Sequence, residues 1–386
     1  LLAKPFEGYL GNDGCAWGTS PEALENAKKT VHKAAENYAQ KVERFWDQLE
    51  NFISITQAAA KPKKGGSENA GLSSIDRAHQ KWLANRTFSP EDISRLDHKA
   101  RTADGGEISF NLFIRLEPGA EPLLADTLDC LGQQILTSWQ LDVVTTLPAP
   151  PGLADVACVG WHTLTSMDES KSAIDALVSN RNLPWNMELP AGAWLDPLLL
   201  WRLAYEIRAN ADADAVAFFV DDDCHDDQGK RFSPRFKPGV NEARMRASDL
   251  AGPLCVHRNA WLRGGGASQR AGSPWFSQLL RITDEFGWSS IRHTPDVLIS
   301  YPGKVPTNIE ACLVGIVGNE MRNGTGSEIV PVSSDSWNIR YPLSSTPAVT
   351  IAILSKGLLD FLPRCFGSII EKTDYPNFEI IIALTT

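Results

Sequence analysis

The pattern of apolar and polar residues divides the chain into a helical first part and a later part in which strands alternate with helices. Over residues 21–58, apolar side chains recur every three or four positions, which is typical of a long amphipathic helix. Residues 58–71 are rich in lysine, glycine and polar residues, so we interpret them as a linker. Further helices are predicted over 73–84 and after Pro90. We therefore expect a helical N-terminal region over residues 1–106.

From residue 107 onward, short β-rich runs alternate with helical patterns. The predicted strands span residues 108–114, 139–145, 155–161 and 213–220, and the predicted helices span 121–136 and 196–210. Such alternation predicts an α/β fold, with a mostly parallel sheet and helices on both of its faces. The strand–helix–strand pattern of 108–144 begins again at 349–382. Because two parallel strands do not complete a sheet, we expect the sequence to be part of a longer protein.

Composition and charge exclude several classes of protein. The chain is 43% hydrophobic and 22% charged, which is average for a globular protein and argues against extensive disorder. No apolar run approaches the roughly 18 residues that a transmembrane helix needs, so no transmembrane segment is predicted. A net charge of −10 argues against nucleic acid as a partner. The seven cysteines are scattered and form no CxxC pair, which argues against a zinc site or a disulfide framework.

The acidic run at residues 221–227 (DDDCHDD) is the densest group of chemically active side chains in the sequence. It follows the predicted strand 213–220, and ligands of parallel sheets bind beyond the carboxyl ends of the strands. Carboxylates suit Mg²⁺ or Mn²⁺, particularly with a diphosphate as co-ligand, which makes Asp221 and Asp223 candidate metal ligands. The alternative is a solvated acidic turn in which residues 226–229 close a hairpin. The spacing alone leaves both interpretations open.

Neighbouring residues extend this candidate site. Asp222, Arg231 and Lys237 are candidate contacts for a nucleotide sugar or its phosphates, although the two basic residues would equally suit a surface loop. His225 is interpreted as an exposed turn residue rather than a metal ligand. We expect most of the twelve tryptophans to lie in the core. The sequence contains no GxSxG, HExxH or P-loop motif that would indicate a hydrolase or an NTPase.

Several stretches, in this order, resemble the family-2 glycosyltransferases, in particular the tandem-domain enzymes of bacterial O-antigen and surface-polysaccharide assembly. The most specific is VDDDCHDDQGKRFSPRFKPG, which resembles the family's acidic strand followed by a D-x-x-G-x-R-x-x-P-x-F-K-P segment. The stretches that resemble the family are residues 75–96, 108–114, 220–239, 252–264, 293–298 and 341–382.

The resemblance implies a GT-A domain over residues 107–340 and the opening of a second one over 341–386. It implies a nucleotide-sugar donor, a glycan acceptor and a cytoplasmic location peripheral to the inner membrane. In an active domain, Mg²⁺ or Mn²⁺ held by a D-x-D motif neutralises the diphosphate leaving group, and a carboxylate base deprotonates the acceptor. The predicted helix 21–58 would pair with a second copy of the chain or with another protein.

The sequence departs from the family at the positions that carry this chemistry. Residues 145–148 lack the acid that contacts the nucleotide base, residues 189–197 have no carboxylate at the positions expected for the D-x-D motif, and residues 273–281 lack the catalytic base. Alanine, tryptophan and threonine neither chelate a hard cation nor accept a proton near neutral pH. We therefore expect a domain that keeps the scaffold without the chemistry. Two alternatives stay open: a non-catalytic scaffold that binds a glycan or a protein, and an active domain whose D-x-D is Asp221 and Asp223.

Overall fold

The computed structural model describes residues 73–386 except 87, 103–107, 151–155, 269–272, 307, 334–335, 356–360 and 385–386. The predicted helix 21–58 and the linker 58–71 lie outside these residues. The chain divides into one unit that ends at Leu83 and another that starts at Ala84, and the second unit contains the sheets.

A nine-stranded sheet forms the centre of the second unit. Its strands are β1 (Phe110–Leu116), β2 (Trp139–Thr145), β3 (Val159–Thr163), β4 (Trp185–Glu188), β5 (Trp194–Leu195), β6 (Ala217–His225), β7 (Arg231–Arg235), β8 (Cys255–His257) and β9 (Ile291–Pro302). Their order is β3-β2-β1-β4-β8-β6-β9-β5, and β7 pairs with β6. Strands β1, β2, β3, β4, β6 and β9 run in one direction, and the others run against them. The predicted mostly parallel α/β sheet is confirmed.

Helices of the second unit cover both faces of this sheet. The helices of the described residues are α1 (Ser74–Ala84), which belongs almost entirely to the first unit, α2 (Pro90–Thr102), α3 (Glu121–Gly132), α4 (Ser170–Asn180), α5 (Leu199–Ala209), α6 (Glu242–Arg246), α7 (Arg258–Arg263), α8 (Pro274–Phe286), α9 (Ile309–Asn323) and α10 (Leu362–Lys372). Alternate side chains of β1 point to opposite faces. Leu112 and Ile114 pack in a core with α3 and α5, whereas Phe113 packs in a second core with α4, α7 and α8. Among the described residues, no helix is long and apolar enough to span a membrane.

Strand β6 is longer than predicted, which corrects the position of the acidic run. The sequence placed Asp221–Asp223 after a strand that ends at Val220, whereas the strand continues to His225. Its partner β7 provides the physical reason, because that hairpin strand brings cationic side chains that neutralise the buried carboxylates. The predicted hairpin turn at residues 226–229 is confirmed: Gly229 donates its N–H to the Asp226 carbonyl and adopts a φ of +81°.

The second half of β6 projects beyond the carboxyl edge of the neighbouring parallel strands. Phe218 of β6 and Met187 of β4 both pair with Cys255 of β8, so they lie at the same level of the sheet. Strand β4 ends one residue later, at Glu188, while β6 continues for seven residues beyond Phe218. This extension pairs with β9 and β7, and β9 pairs with β5. The four strands form a wall beside the carboxyl edge.

Two smaller sheets follow. Strands β10 (Glu328–Pro331) and β11 (Trp337–Arg340) form an antiparallel pair, and Trp337 packs with Phe276 and Ile316 from α8 and α9. Strands β12 (Val349–Ser355) and β13 (Phe378–Leu384) form a separate parallel pair connected by α10, which buries no residue. The predicted strand–helix–strand pattern over 349–382 is confirmed, whereas the domain boundaries at 106 and 340 stay predictions.

The glycine-rich turn after α7 closes around a carboxylate of α4. Asp175 Oδ1 accepts hydrogen bonds from the backbone N–H of Ala267 and from the indole N–H of Trp261. Gly266 adopts a φ of +64°, and a Cβ added there would lie 2.3 Å from Asp175 Oδ1. Glycine is therefore required at this position for both its backbone conformation and its small size.

We predict that Gly266→Ala lowers the free energy of unfolding by about 1–3 kcal/mol, because the new methyl group collides with the Asp175 carboxylate. Urea denaturation followed by circular dichroism measures the change. Gly132→Ala is the matched control, because no heavy atom lies within 4 Å of its added Cβ. That control should be neutral or more stable by up to about 1 kcal/mol. Equal effects of the two substitutions would contradict the packing of this turn.

Candidate functional site

A carboxylate–guanidinium pair lies at the carboxyl edge of the sheet, where ligands of α/β folds bind. Glu188 is the last residue of β4, and its Oε1 accepts a hydrogen bond from Arg115 Nε of β1 at 2.6 Å. The Glu188 side chain is 5% exposed, whereas that of Arg115 is 26% exposed. The Trp275 indole N–H, at the start of α8, donates to the Glu188 carbonyl oxygen at 3.2 Å. This pair can present one guanidinium to an anionic ligand.

Sequence reasoning missed this pair. Glu188 ends a short buried strand and directly precedes the stretch compared with the D-x-D motif. This position beside the motif is the signal that would have found it. Arg115 stands 73 positions earlier, so nothing local in the sequence connects the two residues.

The loop that the resemblance compares with the D-x-D motif is held against α3. Gly192 donates its N–H to Thr127 Oγ1 at 3.0 Å, and this hydroxyl donates to the Ala193 carbonyl at 3.2 Å. A Cβ added at Gly192 would lie 3.2 Å from Leu123 and from Pro302, and the φ there is +84°. Between β4 and β5 the loop therefore provides neither a carboxylate nor free space for one.

Asp222 is the central acid of the β6 run, and two cations neutralise it. Arg235 binds both of its carboxylate oxygens, with Nη2 2.6 Å from Oδ2, and Lys237 Nζ lies 2.7 Å from Oδ2. Lys237 Nζ also donates to the carbonyl oxygens of Val220 and Ala251. Burial lowers the pKa of Lys237, and the negative charge of Asp222 opposes this shift. The sequence proposed Lys237 as a phosphate contact, and the structure places it in the interior.

The two proposed metal ligands are engaged in the same way. Asp221 Oδ1 lies 2.8 Å from His293 Nε2 and accepts the backbone N–H of Lys237 at 2.8 Å. Asp223 Oδ2 accepts a hydrogen bond from Arg231 Nε at 2.8 Å. In the described part of the chain, no group of three or more His, Cys, Asp or Glu residues is arranged to hold a metal ion.

This arrangement fits Mg²⁺ or Mn²⁺ poorly, because binding would require breaking the ion pair of Asp223 with Arg231 and the hydrogen bonds of Asp221. Removing one member of a buried ion pair is costly, since it leaves an uncompensated charge. The interpretation of Asp221 and Asp223 as metal ligands, and of Asp222, Arg231 and Lys237 as contacts of a nucleotide sugar, stays a prediction.

His225 is buried rather than exposed, which corrects the expectation of a turn residue. It is the last residue of β6, its Nδ1 lies 3.1 Å from Ser300 Oγ, and its ring stacks on Trp194 of β5 at 3.8 Å between centroids. Burial lowers the pKa of His225, while the nearby Asp223 opposes the shift. This stack connects the short edge strand β5 to the extended part of β6.

Asp249 is a second buried acid that sequence reasoning missed. Its Oδ2 accepts a hydrogen bond from the Ser273 hydroxyl at 3.2 Å, next to the start of α8, and lies 3.6 Å from Cys312 Sγ. Its Oδ1 is buried and has no hydrogen-bond partner among the described residues. Burial raises the pKa of Asp249, and the positive charge of Arg235 opposes the shift. The first helical turn of α8, Pro274–Phe276, contributes no carboxylate.

We predict that Lys237→Met lowers the free energy of unfolding by about 3–5 kcal/mol, because it removes one of the two cations that neutralise buried Asp222. Chemical denaturation measures this loss. Lys304→Met is the matched control, since Lys304 is exposed, and it should change stability by less than about 0.5 kcal/mol. A Lys237 variant as stable as the control would contradict a buried ion network.

We predict that Asp249→Asn makes stability less dependent on pH. A carboxyl group whose pKa is higher in the folded chain than its ordinary 3.8 favours folding while protonated, and this contribution is lost as the pH rises through the folded pKa. Asparagine cannot ionise, so the stability of the variant relative to the wild type should increase with pH. Thermal denaturation across the acidic to neutral range measures this difference. A difference that does not vary with pH would count against the prediction.

Comparisons with known proteins place the chain near a polysaccharide biosynthesis protein. It is 23% identical over 326 residues to the O-antigen biosynthesis protein RfbC of Myxococcus xanthus, and the match covers 78% of this chain and 25% of RfbC. It is 27% identical over 202 residues to the uncharacterized protein y4gI of Sinorhizobium fredii, covering 49% of this chain and 22% of y4gI. The chain thus spans about a quarter of the length of these relatives. No protein-family model matches the chain.

Among solved structures, S. aureus TarS residues 1–349 match with a TM-score of 0.39 and 9% identity, over 56% of this chain and 72% of that one. The same protein in complex with UDP-GlcNAc matches with a TM-score of 0.39 and 10% identity, over 53% and 61%. The order of the sequence motifs and the mixed α/β sheet agree with the resemblance to the GT-A, family-2 glycosyltransferases, and RfbC is a similar protein.

Proposed function

We propose that the chain is part of a glycosyltransferase of bacterial surface-polysaccharide assembly, of the O-antigen type, and that its GT-A domain at residues 107–340 is not itself catalytic. In the full protein, the substrates would be a nucleotide-sugar donor and a glycan acceptor. The similarity to RfbC, whose name places it in O-antigen biosynthesis, supports the pathway. The proposed location, cytoplasmic and peripheral to the inner membrane, rests on the sequence resemblance alone.

The positions of the acidic side chains support the proposal that the domain has lost catalysis. They do not lie where sugar transfer from a nucleotide donor would require them. The loop 189–193 contains no carboxylate and is packed on α3. Asp222 and Asp223 are ion-paired with arginines of β7, and Asp221 is hydrogen-bonded to His293. A transfer reaction requires stabilisation of the departing diphosphate and a base near the acceptor hydroxyl. At the carboxyl edge, Arg115 is available to an anionic ligand, and Glu188 is engaged in its ion pair with Arg115.

The extended wall of β5, β6, β7 and β9 gives such a domain a structural role. Its charges are paired internally, so its shape does not depend on a bound metal. A rigid domain of this kind can position a neighbouring catalytic domain or hold a glycan without reacting with it. The predicted pairing of helix 21–58 with a second copy or another protein is a separate proposal, because that segment lies outside the described residues.

We predict that UDP-, GDP- and dTDP-sugars produce no Mn²⁺-dependent increase in melting temperature. A donor present at about 100 times its dissociation constant would stabilise the chain by about 2.7 kcal/mol, which is readily detected. The titration is carried out with and without Mn²⁺, on the wild type, on Asp223→Asn and on the control Asp227→Asn, an exposed acid of the same run.

A Mn²⁺-dependent increase in melting temperature would contradict the prediction in one of two ways. A Mn²⁺-dependent increase with one donor, retained in Asp227→Asn and lost in Asp223→Asn, would show that β6 supplies the metal ligands. It would replace the non-catalytic proposal with that of an active domain. Loss of the increase in both variants would instead indicate a general effect of the negative charge of the run, and would leave β6 without metal ligands.

A further inference from the structure

A small basic cavity lies at the edge of the second unit away from the candidate site. Its volume is about 170 Å³, and it is lined by Arg263, Gly264, Arg281, Asp284, Glu285 and Arg322. Helix α8 begins at the carboxyl edge, where Trp275 contacts Glu188, and ends at Phe286, just before β9 starts. Arg281 and the two acids belong to the second half of α8, so the cavity faces the opposite edge of the sheet.

Both acidic side chains of the cavity already have hydrogen-bond or ion-pair partners. Glu285 Oε1 accepts hydrogen bonds from Arg263 Nε and Nη2. Asp284 accepts hydrogen bonds from the side-chain amides of Asn319 and Asn323 and lies 3.6 Å from Arg322 Nη2. Three guanidinium groups therefore face two carboxylates, and one positive charge is in excess.

Arg281 carries that excess charge in a fixed orientation. Its Nε donates to the Gly264 carbonyl oxygen at 2.7 Å, which anchors the plane of the guanidinium. In the described part of the chain, its terminal nitrogens make no hydrogen bond with protein groups. Burial lowers the pKa of Arg281, and the positive charge of Arg322 lowers it further. Two like charges next to one cavity are stabilised when an anion binds between them.

We propose that this cavity is a binding site for a phosphoryl group, held by Arg281 with the help of Arg322. The planar fork of arginine matches two phosphate oxygens at once, which makes it a preferred residue for phosphate recognition. The cavity is large enough for one phosphate group. The phosphoryl group would come from a soluble phosphate or from the headgroup of an anionic lipid. The site does not depend on the function proposed above.

Isothermal titration of the chain with inorganic phosphate tests the proposal. Wild type should bind, Arg281→Gln should reduce the affinity about tenfold or more, and Arg322→Gln should reduce it severalfold. Arg340→Gln is the matched control, because Arg340 is an exposed arginine in a surface ion pair and does not line the cavity, and this variant should bind as wild type does. Absence of phosphate binding to the wild type, or an equal loss in the Arg281 and Arg340 variants, would overturn the proposal for soluble phosphate.

Flotation with phosphatidylcholine vesicles, with and without phosphatidylglycerol, separates the two sources. Binding to phosphatidylglycerol that is lost in Arg281→Gln assigns the site to a lipid headgroup, and binding of phosphate alone assigns it to a soluble phosphate. If neither probe binds, the proposal is wrong.

Circular dichroism confirms that each variant is folded. Arg281→Lys, which keeps the charge without the fork, should bind more weakly than wild type. Should Arg281→Gln fail to fold, Arg322→Gln carries the test, because its long ion pair with Asp284 contributes little stability.

Discussion

Burial of three consecutive carboxylates on one strand is the constraint on which the candidate site depends. Asp221, Asp222 and Asp223 are at most 4% exposed, and an isolated charge at such a position would cost far more than a folded domain can tolerate. The chain meets this constraint within the next 14 residues, because β7 and the residues after it return Arg231, Arg235 and Lys237 to the same strand. The long hairpin, the projecting wall and the buried lysine are consequences of the same charge pairing.

The same pairing decides what the acids can do. A divalent cation competes well for carboxylates that repel one another, and poorly for carboxylates that already contact guanidinium, ammonium or imidazole groups. The β6 network therefore gives an acidic strand a structural role within this α/β fold. At the carboxyl edge, where the family resemblance calls for more acids, the chain has the Arg115–Glu188 pair and a loop packed around Gly192. Both observations support the proposal of a retained scaffold without a retained reaction.

The sequence predicts those parts of the architecture that depend on residues close together in the chain. It does not predict those that depend on contacts between distant residues. The strand at 139–145 was predicted to the residue, because most of its residues favour strands and all of them are consecutive in the chain. Strand β6 was predicted to end at Val220, because aspartate is unfavourable in strands and its neutralising partners come later in the chain. His225 was placed in an exposed turn, whereas its ring stacks on Trp194, 31 positions away. Propensity detects elements, but it does not detect charge pairs formed by tertiary contacts.

Electron paramagnetic resonance of Mn²⁺ in the presence of UDP tests whether the acids of β6 can hold a metal ion, because free and protein-bound Mn²⁺ give different signals. If these acids are occupied by Arg231, Arg235 and Lys237 and by the hydrogen bond to His293, the added Mn²⁺ should keep the signal of its complex with UDP alone, in the wild type and in Asp221→Asn alike. Saturable binding of one Mn²⁺ per chain that disappears in Asp221→Asn would contradict the account.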